Sequence, residues 1–148
     1  MAVVINGRDL KIEEVISVCR EMERVEIAPE AKEAVNKARS YIDKKLEEGA
    51  IIYGLTTGFG KFANVFIDKE QTAELQENLI ISHTCGMGEP YEQKFVRAAM
   101  LLRCNALSRG NSGIRLSTIQ TMVDMLNAGI HPVVPCKGSL GASGDLAP

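Results

Sequence analysis

Pro29-Glu30-Ala31-Lys32-Glu33-Ala34-Val35-Asn36-Lys37-Ala38-Arg39-Ser40-Tyr41-Ile42-Asp43-Lys44-Lys45-Leu46-Glu47-Glu48-Gly49 decides the class of fold. Proline is tolerated at the first helical position because its missing N–H would have no intrahelical partner there. Val35, Ala38, Ile42 and Leu46 then recur at spacings of three and four, the period of a helix that buries one face, and Gly49 stops the pattern. The same period governs the neighbouring segments. Toward the N-terminus it marks a helix over 12–22, preceded by a short strand at 3–5 and an Asn6-Gly7 turn. Toward the C-terminus, Asp68 with Gln71 resembles a capping box opening a helix through Leu75 and Leu79 to His83, ended by Gly86 and Gly88. Pro90 opens another through Phe95, Met100, Leu101 and Leu102 to Ser108, stopped by Gly110; a last one spans 114–127 and closes at Gly129. The expected fold is mainly α: one helical domain over 1–148, with a short N-terminal strand and turn and glycine-rich loops.

Composition narrows the class of function. The 148 residues are 45% hydrophobic, enough for one domain to bury a core, and carry 17 basic against 19 acidic side chains. That balance argues against a polybasic surface for nucleic acid or membrane. No apolar run approaches a membrane span, and the N-terminus lacks the basic and apolar regions of a signal peptide, so a cytoplasmic protein is expected. Cys19, Cys85, Cys104 and Cys136 are scattered without a C-x-x-C pair, which predicts reduced, mostly buried thiols and no metal site.

Two segments break the helical pattern. Ile51-Ile52 leads into Tyr53-Gly54-Leu55-Thr56-Thr57-Gly58-Phe59-Gly60, and the C-terminal stretch reads Lys137-Gly138-Ser139-Leu140-Gly141-Ala142-Ser143-Gly144-Asp145-Leu146-Ala147-Pro148. Both set hydroxyl or aromatic groups on glycine-rich backbone, where functional groups concentrate. A phosphate-binding Walker loop fails on two counts, because Leu55 stands at the first glycine position and Phe62 follows Gly60-Lys61. The dinucleotide fingerprint fails because Ala63 takes the third glycine position and no parallel-sheet pattern surrounds it. Gly141-Ala142-Ser143-Gly144 begins a hydrolase elbow, but Asp145 occupies its final glycine position.

Backbone chemistry is the remaining reading of Ala142-Ser143-Gly144. Closure of the Gly144 nitrogen onto the Ala142 carbonyl carbon, with loss of that water and of the Ser143 hydroxyl as a second, leaves an exocyclic methylidene on a five-membered ring. Glycine admits the close approach, serine carries the leaving hydroxyl, and alanine is small. A resonance-stabilised amide nitrogen attacks poorly, so the fold has to strain it. The tripeptide alone is expected by chance in about one chain in twenty of this length, so its surroundings must decide.

Those surroundings resemble the aromatic amino-acid ammonia-lyases, whose type member is histidine ammonia-lyase. Gly138 to Pro148 is similar to the family signature, Tyr53 to Gly60 to its tyrosine loop, Asn78-Leu79-Ile80-Ile81-Ser82-His83 to its substrate-pocket helix, and Asn105 to Arg115 to a further family stretch. The resemblance implies that Ala142, Ser143 and Gly144 become a methylidene-imidazolone (MIO) electrophile, with no external cofactor and no metal. Tyr53 would be the base that removes the β-proton. A phenol of ordinary acidity is protonated at neutral pH, so that role requires a site that favours the phenolate, through helix N-termini or nearby donors. His83 would face the substrate ring, although Thr84-Cys85 departs from the small apolar pair usual in the family. The implied reaction is non-oxidative elimination of ammonia from a small-molecule aromatic amino acid, L-histidine giving urocanate. Tyrosine and phenylalanine lyases and aminomutases are alternatives that use the same parts, and a non-catalytic helical oligomerisation module is another. Family members are much longer homotetramers with an arginine and a second tyrosine further along. The 148 residues are therefore expected to be an inactive N-terminal portion that ends just past the Ala-Ser-Gly turn.

Overall fold

Five α-helices and four short strands follow one another along the described residues of the computed structural model, namely 2–58, 60, 64–65 and 72–138. In chain order they are β1 (Val3–Ile5), α1 (Ile12–Arg20), β2 (Val25–Ile27), α2 (Pro29–Glu47), α3 (Thr72–His83), β3 (Met87–Pro90), α4 (Gln93–Leu107), α5 (Leu116–Asn127) and β4 (Pro135–Lys137). The mainly α expectation is met. The elements divide into two compact units, one made of Met1–Asp43 with Tyr91–Val133 and the other of Lys44–Pro90 with Val134–Pro148. Among the described residues no helix is long and apolar enough to cross a membrane.

In the first unit α4 packs between α1 and α5, and β1 pairs with β2 in parallel, Val3 beside Val25 and Ile5 beside Ile27. Alternation buries all four of those side chains and leaves Val4 and Glu26 outside. Val96, Met100, Leu101 and Cys104 make the inner stripe of α4, facing Ile119, Val123 and Leu126 from α5. Leu101 and Ile119 are fully buried, each contributing about 1.5–3 kcal/mol relative to exposure. Burial pushes the Cys104 thiol up to about 11, so it stays protonated at neutral pH and acts as a small apolar side chain. The Asn127 side chain stands in for a strand neighbour: Val25 N–H donates to its Oδ1 at 2.8 Å and its Nδ2 donates to the Val25 carbonyl at 2.9 Å.

Arg97 lies on the same inner stripe and is 1% exposed. Its Nε and Nη2 donate to the Val18 carbonyl at 3.3 and 2.9 Å, and its Nη1 donates to the Leu126 carbonyl at 3.0 Å. Both acceptors sit in the last turns of α1 and α5, where carbonyls lack intrahelical donors and each helix carries roughly half a negative charge. Two such ends together offset about one positive charge, which accounts for a buried guanidinium held by carbonyls.

Gly110 closes α4 at φ +73°; a Cβ there would lie 2.6 Å from the carbonyl carbon of Ala34 in α2. Only glycine meets both the left-handed backbone and the close approach.

Several boundaries differ from the sequence reading. α1 ends at Arg20, with Met22 left-handed at φ 59° and Glu23 N–H closing onto the Ser17 carbonyl at 3.2 Å. Pro90 ends a strand, and α4 starts at Gln93. α5 starts at Leu116 instead of 114. β2, β3 and β4 were not foreseen, because strands of three or four residues show no periodicity to read. The Asp68 capping box lies outside the described residues.

Replacing Arg97 by Met should lower unfolding free energy by about 3 kcal/mol, because two buried helix-end carbonyls lose charged donors. Arg97→Lys should recover only part of this, since one ammonium cannot reproduce the planar fork. Urea denaturation followed by circular dichroism measures both.

Candidate active site

Tyr53 begins the turn after α2, within the second unit. Two threonines brace that turn. The Ile52 N–H donates to Thr56 Oγ1 at 2.8 Å, and the Leu55 and Thr56 N–H groups return to the Ile52 carbonyl at 3.1 and 2.9 Å. The Gly54 N–H donates to Thr57 Oγ1 at 3.2 Å, while the Thr57 hydroxyl donates to the Gly58 carbonyl at 3.0 Å. Thr57 is buried, and Gly54 takes φ 70° to let the chain reverse. The braced backbone holds Tyr53 with its side chain 63% exposed and its phenolic oxygen accepting the Gly60 N–H at 3.1 Å. A backbone donor thus points at the one oxygen through which a tyrosine acts as a base.

His83 is the last residue of α3. Its Nδ1 lies 2.7 Å from the Leu79 carbonyl and 2.9 Å from Ser82 Oγ. A carbonyl only accepts, so in the neutral ring the proton sits on Nδ1 and Nε2 keeps its lone pair. The ring closes the helix end, and that contact decides which nitrogen remains as an acceptor. Ser82 adds its own bond to the Leu79 carbonyl at 2.8 Å. Two consecutive side chains on one carbonyl fix the ring against the last turn.

β3 follows four residues after His83 and pairs antiparallel with β4, Met87 opposite Lys137 and Pro90 opposite Pro135, with an irregularity between. The Cys85 thiol donates to the Gly138 carbonyl at 3.4 Å. The strand pair therefore brings the chain leaving His83 beside the chain that leads, four residues later, to Ala142. Ala142, Ser143 and Gly144 themselves lie outside the described residues. Tyr53 and His83 belong to one unit, and the described residues contain no group of three His, Cys, Asp or Glu side chains able to hold a metal ion. An open depression lined by Cys19, Arg20, Met22, Glu92, Gln93 and Lys94 lies in the first unit and carries none of the candidate catalytic or substrate-binding residues. Thr56, Thr57 and the β3–β4 pair were missed as supports. Threonines beside glycines are a turn signal that was available, whereas the strand pairing left none.

A model of the aromatic amino acid lyase family matches residues 10–148. Histidine ammonia-lyase of Alkaliphilus oremlandii is 53% identical over 146 residues, covering 99% of this chain and 29% of that protein. The crystal structure of ergothionase from Treponema denticola, in complex with desmethyl-ergothioneine sulfonic acid, superposes with a TM-score of 0.92 at 35% identity, covering 99% of this chain and 29% of that one. Tyrosine aminomutase from Streptomyces globisporus gives 0.89 at 34% identity over 95% of this chain and 27% of its own. The chain spans about 29% of the length of the curated relatives it matches.

Thr57→Val removes the acceptor of the Gly54 N–H and should cost the turn about 1–2 kcal/mol. Amide exchange at Gly54 is then expected to accelerate about tenfold, with α4 amides unchanged and Thr57→Ser close to the parent. Hydrogen-exchange NMR reads all three.

Proposed function

The chain belongs to the aromatic amino acid lyase family, and from that premise we propose that it is the N-terminal portion of a homotetrameric histidine ammonia-lyase. The observation that carries the histidine reading is identity above 50% to histidine ammonia-lyases over nearly the whole chain. The proposed reaction is elimination of ammonia from L-histidine to give urocanate.

Ala142-Ser143-Gly144 contains the atoms for a methylidene-imidazolone: a small carbonyl donor, a β-hydroxyl to lose and an unhindered amide nitrogen. Once formed, that group would supply an electrophile that ordinary side chains cannot provide. The other functions fall to this chain's own side chains. Tyr53 is the proposed base at the substrate β-carbon, and the Gly60 N–H is the donor positioned at its oxygen. His83 is the proposed ring contact. With its proton committed to Leu79, Nε2 accepts a hydrogen bond, which matches an imidazole N–H and equally a phenol O–H, and leaves nothing for an unsubstituted phenyl ring. That equivalence, with the overlay on a tyrosine aminomutase, supports tyrosine as the second substrate reading.

The lack of buried apolar side chains among the described residues of the second unit is consistent with a site completed by further protein. Every buried apolar side chain among the described residues belongs to the first unit, while Ile51, Ile80, Ile81 and Met87 of the second are exposed. The 148 residues alone are expected to show no turnover.

The test uses the full-length enzyme containing this chain, offered L-histidine, L-tyrosine and L-phenylalanine while the ultraviolet absorbance of the unsaturated product is followed. Urocanate from histidine is the expected product. Ser143→Ala should lower kcat by about three orders of magnitude or more, and Tyr53→Phe by about a hundredfold or more. Intact mass should find the parent enzyme two waters lighter than encoded and the Ser143→Ala protein at its encoded mass. Full turnover with an unmodified Ser143 would sink the reading.

A further inference from the structure

We propose that Ser82 is a positioning residue for ring recognition: its hydroxyl, held on the Leu79 carbonyl, keeps the neutral His83 ring in the Nδ1–H form and aims Nε2 as an acceptor. The inference rests on the lyase reading above, which makes His83 the ring contact, and concerns how that contact is prepared.

Three atoms at the end of α3 form a triangle. Ser82 Oγ lies 2.8 Å from the Leu79 carbonyl oxygen, His83 Nδ1 lies 2.7 Å from the same oxygen, and Oγ and Nδ1 are 2.9 Å apart. A serine beside an imidazole does not by itself select a tautomer, because a hydroxyl donates to a bare nitrogen as readily as it accepts from a protonated one. The carbonyl removes that freedom. A bare Nδ1 at 2.7 Å from it would set lone pair against lone pair, so this nitrogen carries the proton. The Ser82 proton is directed to the same carbonyl, which leaves Oγ only acceptor capacity toward the ring. Both neighbours of Nδ1 are then acceptors, and Nε2 keeps its lone pair.

A hydroxyl bonded to the carbonyl three residues back is ordinary at a helix end, and Thr84 makes the same bond to the Ile81 carbonyl at 2.8 Å. Ser82 differs in its second contact, to the ring. Leu79 offers a backbone oxygen that any residue would offer, whereas the hydroxyl depends on the residue at 82. Without it Nδ1–H has one acceptor instead of two, and the ring is free to turn off the carbonyl and take the Nε2–H form. A substrate ring then meets a mixture of acceptor and donor in more than one direction, and ordering that mixture costs affinity. Ser82 is exposed and His83 half-buried, so water competes for these contacts and they contribute direction more than global stability.

The experiment compares the full-length enzyme with its Ser82→Ala and Ser82→Thr variants, all labelled with heavy nitrogen in the histidine rings. Solid-state nitrogen NMR at about pH 9, where an imidazole of ordinary acidity is neutral, reads which ring nitrogen holds the proton. Subtracting the spectrum of a His83→Gln variant isolates His83. The parent should show a single form, protonated at Nδ1 and bare at Nε2. Ser82→Ala should show both tautomers, and its kcat/KM for L-histidine should fall about fivefold to tenfold, the size of one neutral hydrogen bond. Its melting temperature should stay within about 2 °C of the parent. Ser82→Thr keeps the hydroxyl and should restore the single form, with kcat/KM within about twofold of the parent. The proposal is overturned by a parent ring protonated at Nε2, by a Ser82→Ala ring that stays wholly in the Nδ1–H form, or by an unchanged kcat/KM in that variant. A parent enzyme that shows the Nδ1–H ring yet forms no product from any of the three amino acids overturns the lyase reading instead.

Discussion

A guanidinium buried under helix ends is the constraint on which the first unit depends. Arg97 binds the last-turn carbonyls of α1 and α5 while the rest of its own stripe packs between those helices. A positive charge taken out of water is costly unless its donors are matched, and here three N–H bonds go to carbonyls at the negative ends of two dipoles. Apolar packing alone would let α1 and α5 slide along α4. The planar fork of one arginine sets where along α4 each of them ends, and Asn127, one residue beyond Leu126, then ties α5 to β2.

The second unit is organised on another principle. Its described residues contribute no buried apolar side chain, and its order comes from polar bonds within turns and from close backbone approach. Thr56 and Thr57 turn the Tyr53 segment into a small hydrogen-bonded frame; His83 and Ser82 close α3; Gly86 receives Pro135. A frame of this kind sets directions accurately while contributing little global stability. That suits the roles proposed for Tyr53 and His83, whose polar atoms would have to be aimed.

The helical class and most helix spans were legible because each rests on side chains three or four residues apart, and the stop signals were glycines adjacent to them. Gly110 is an instance: its role as the stop of α4 is local, and its contact with Ala34 only adds a second reason for it. Pro90 shows the opposite case. Read locally, a proline before an amphipathic run opens a helix; in the fold it ends a strand opposite Pro135, and no neighbour in sequence reveals that pairing. For the site, Tyr53 and His83 stood out through the resemblance of whole stretches, whereas their supports did not.

What the amino-acid order determined by itself was the period of its helices, the glycine-rich frames around Tyr53 and Ala142-Ser143-Gly144, and, through these, the family. Tertiary structure alone decided the burial of Arg97, the parallel partnership of β1 with β2, the nitrogen that His83 leaves open, and the fit of Gly86 against Pro135. The division has a physical cause. Periodicity and turn chemistry are local free-energy preferences written into neighbouring residues, while a buried charge, a three-residue strand or a missing Cβ acquires meaning only when a distant segment arrives to meet it.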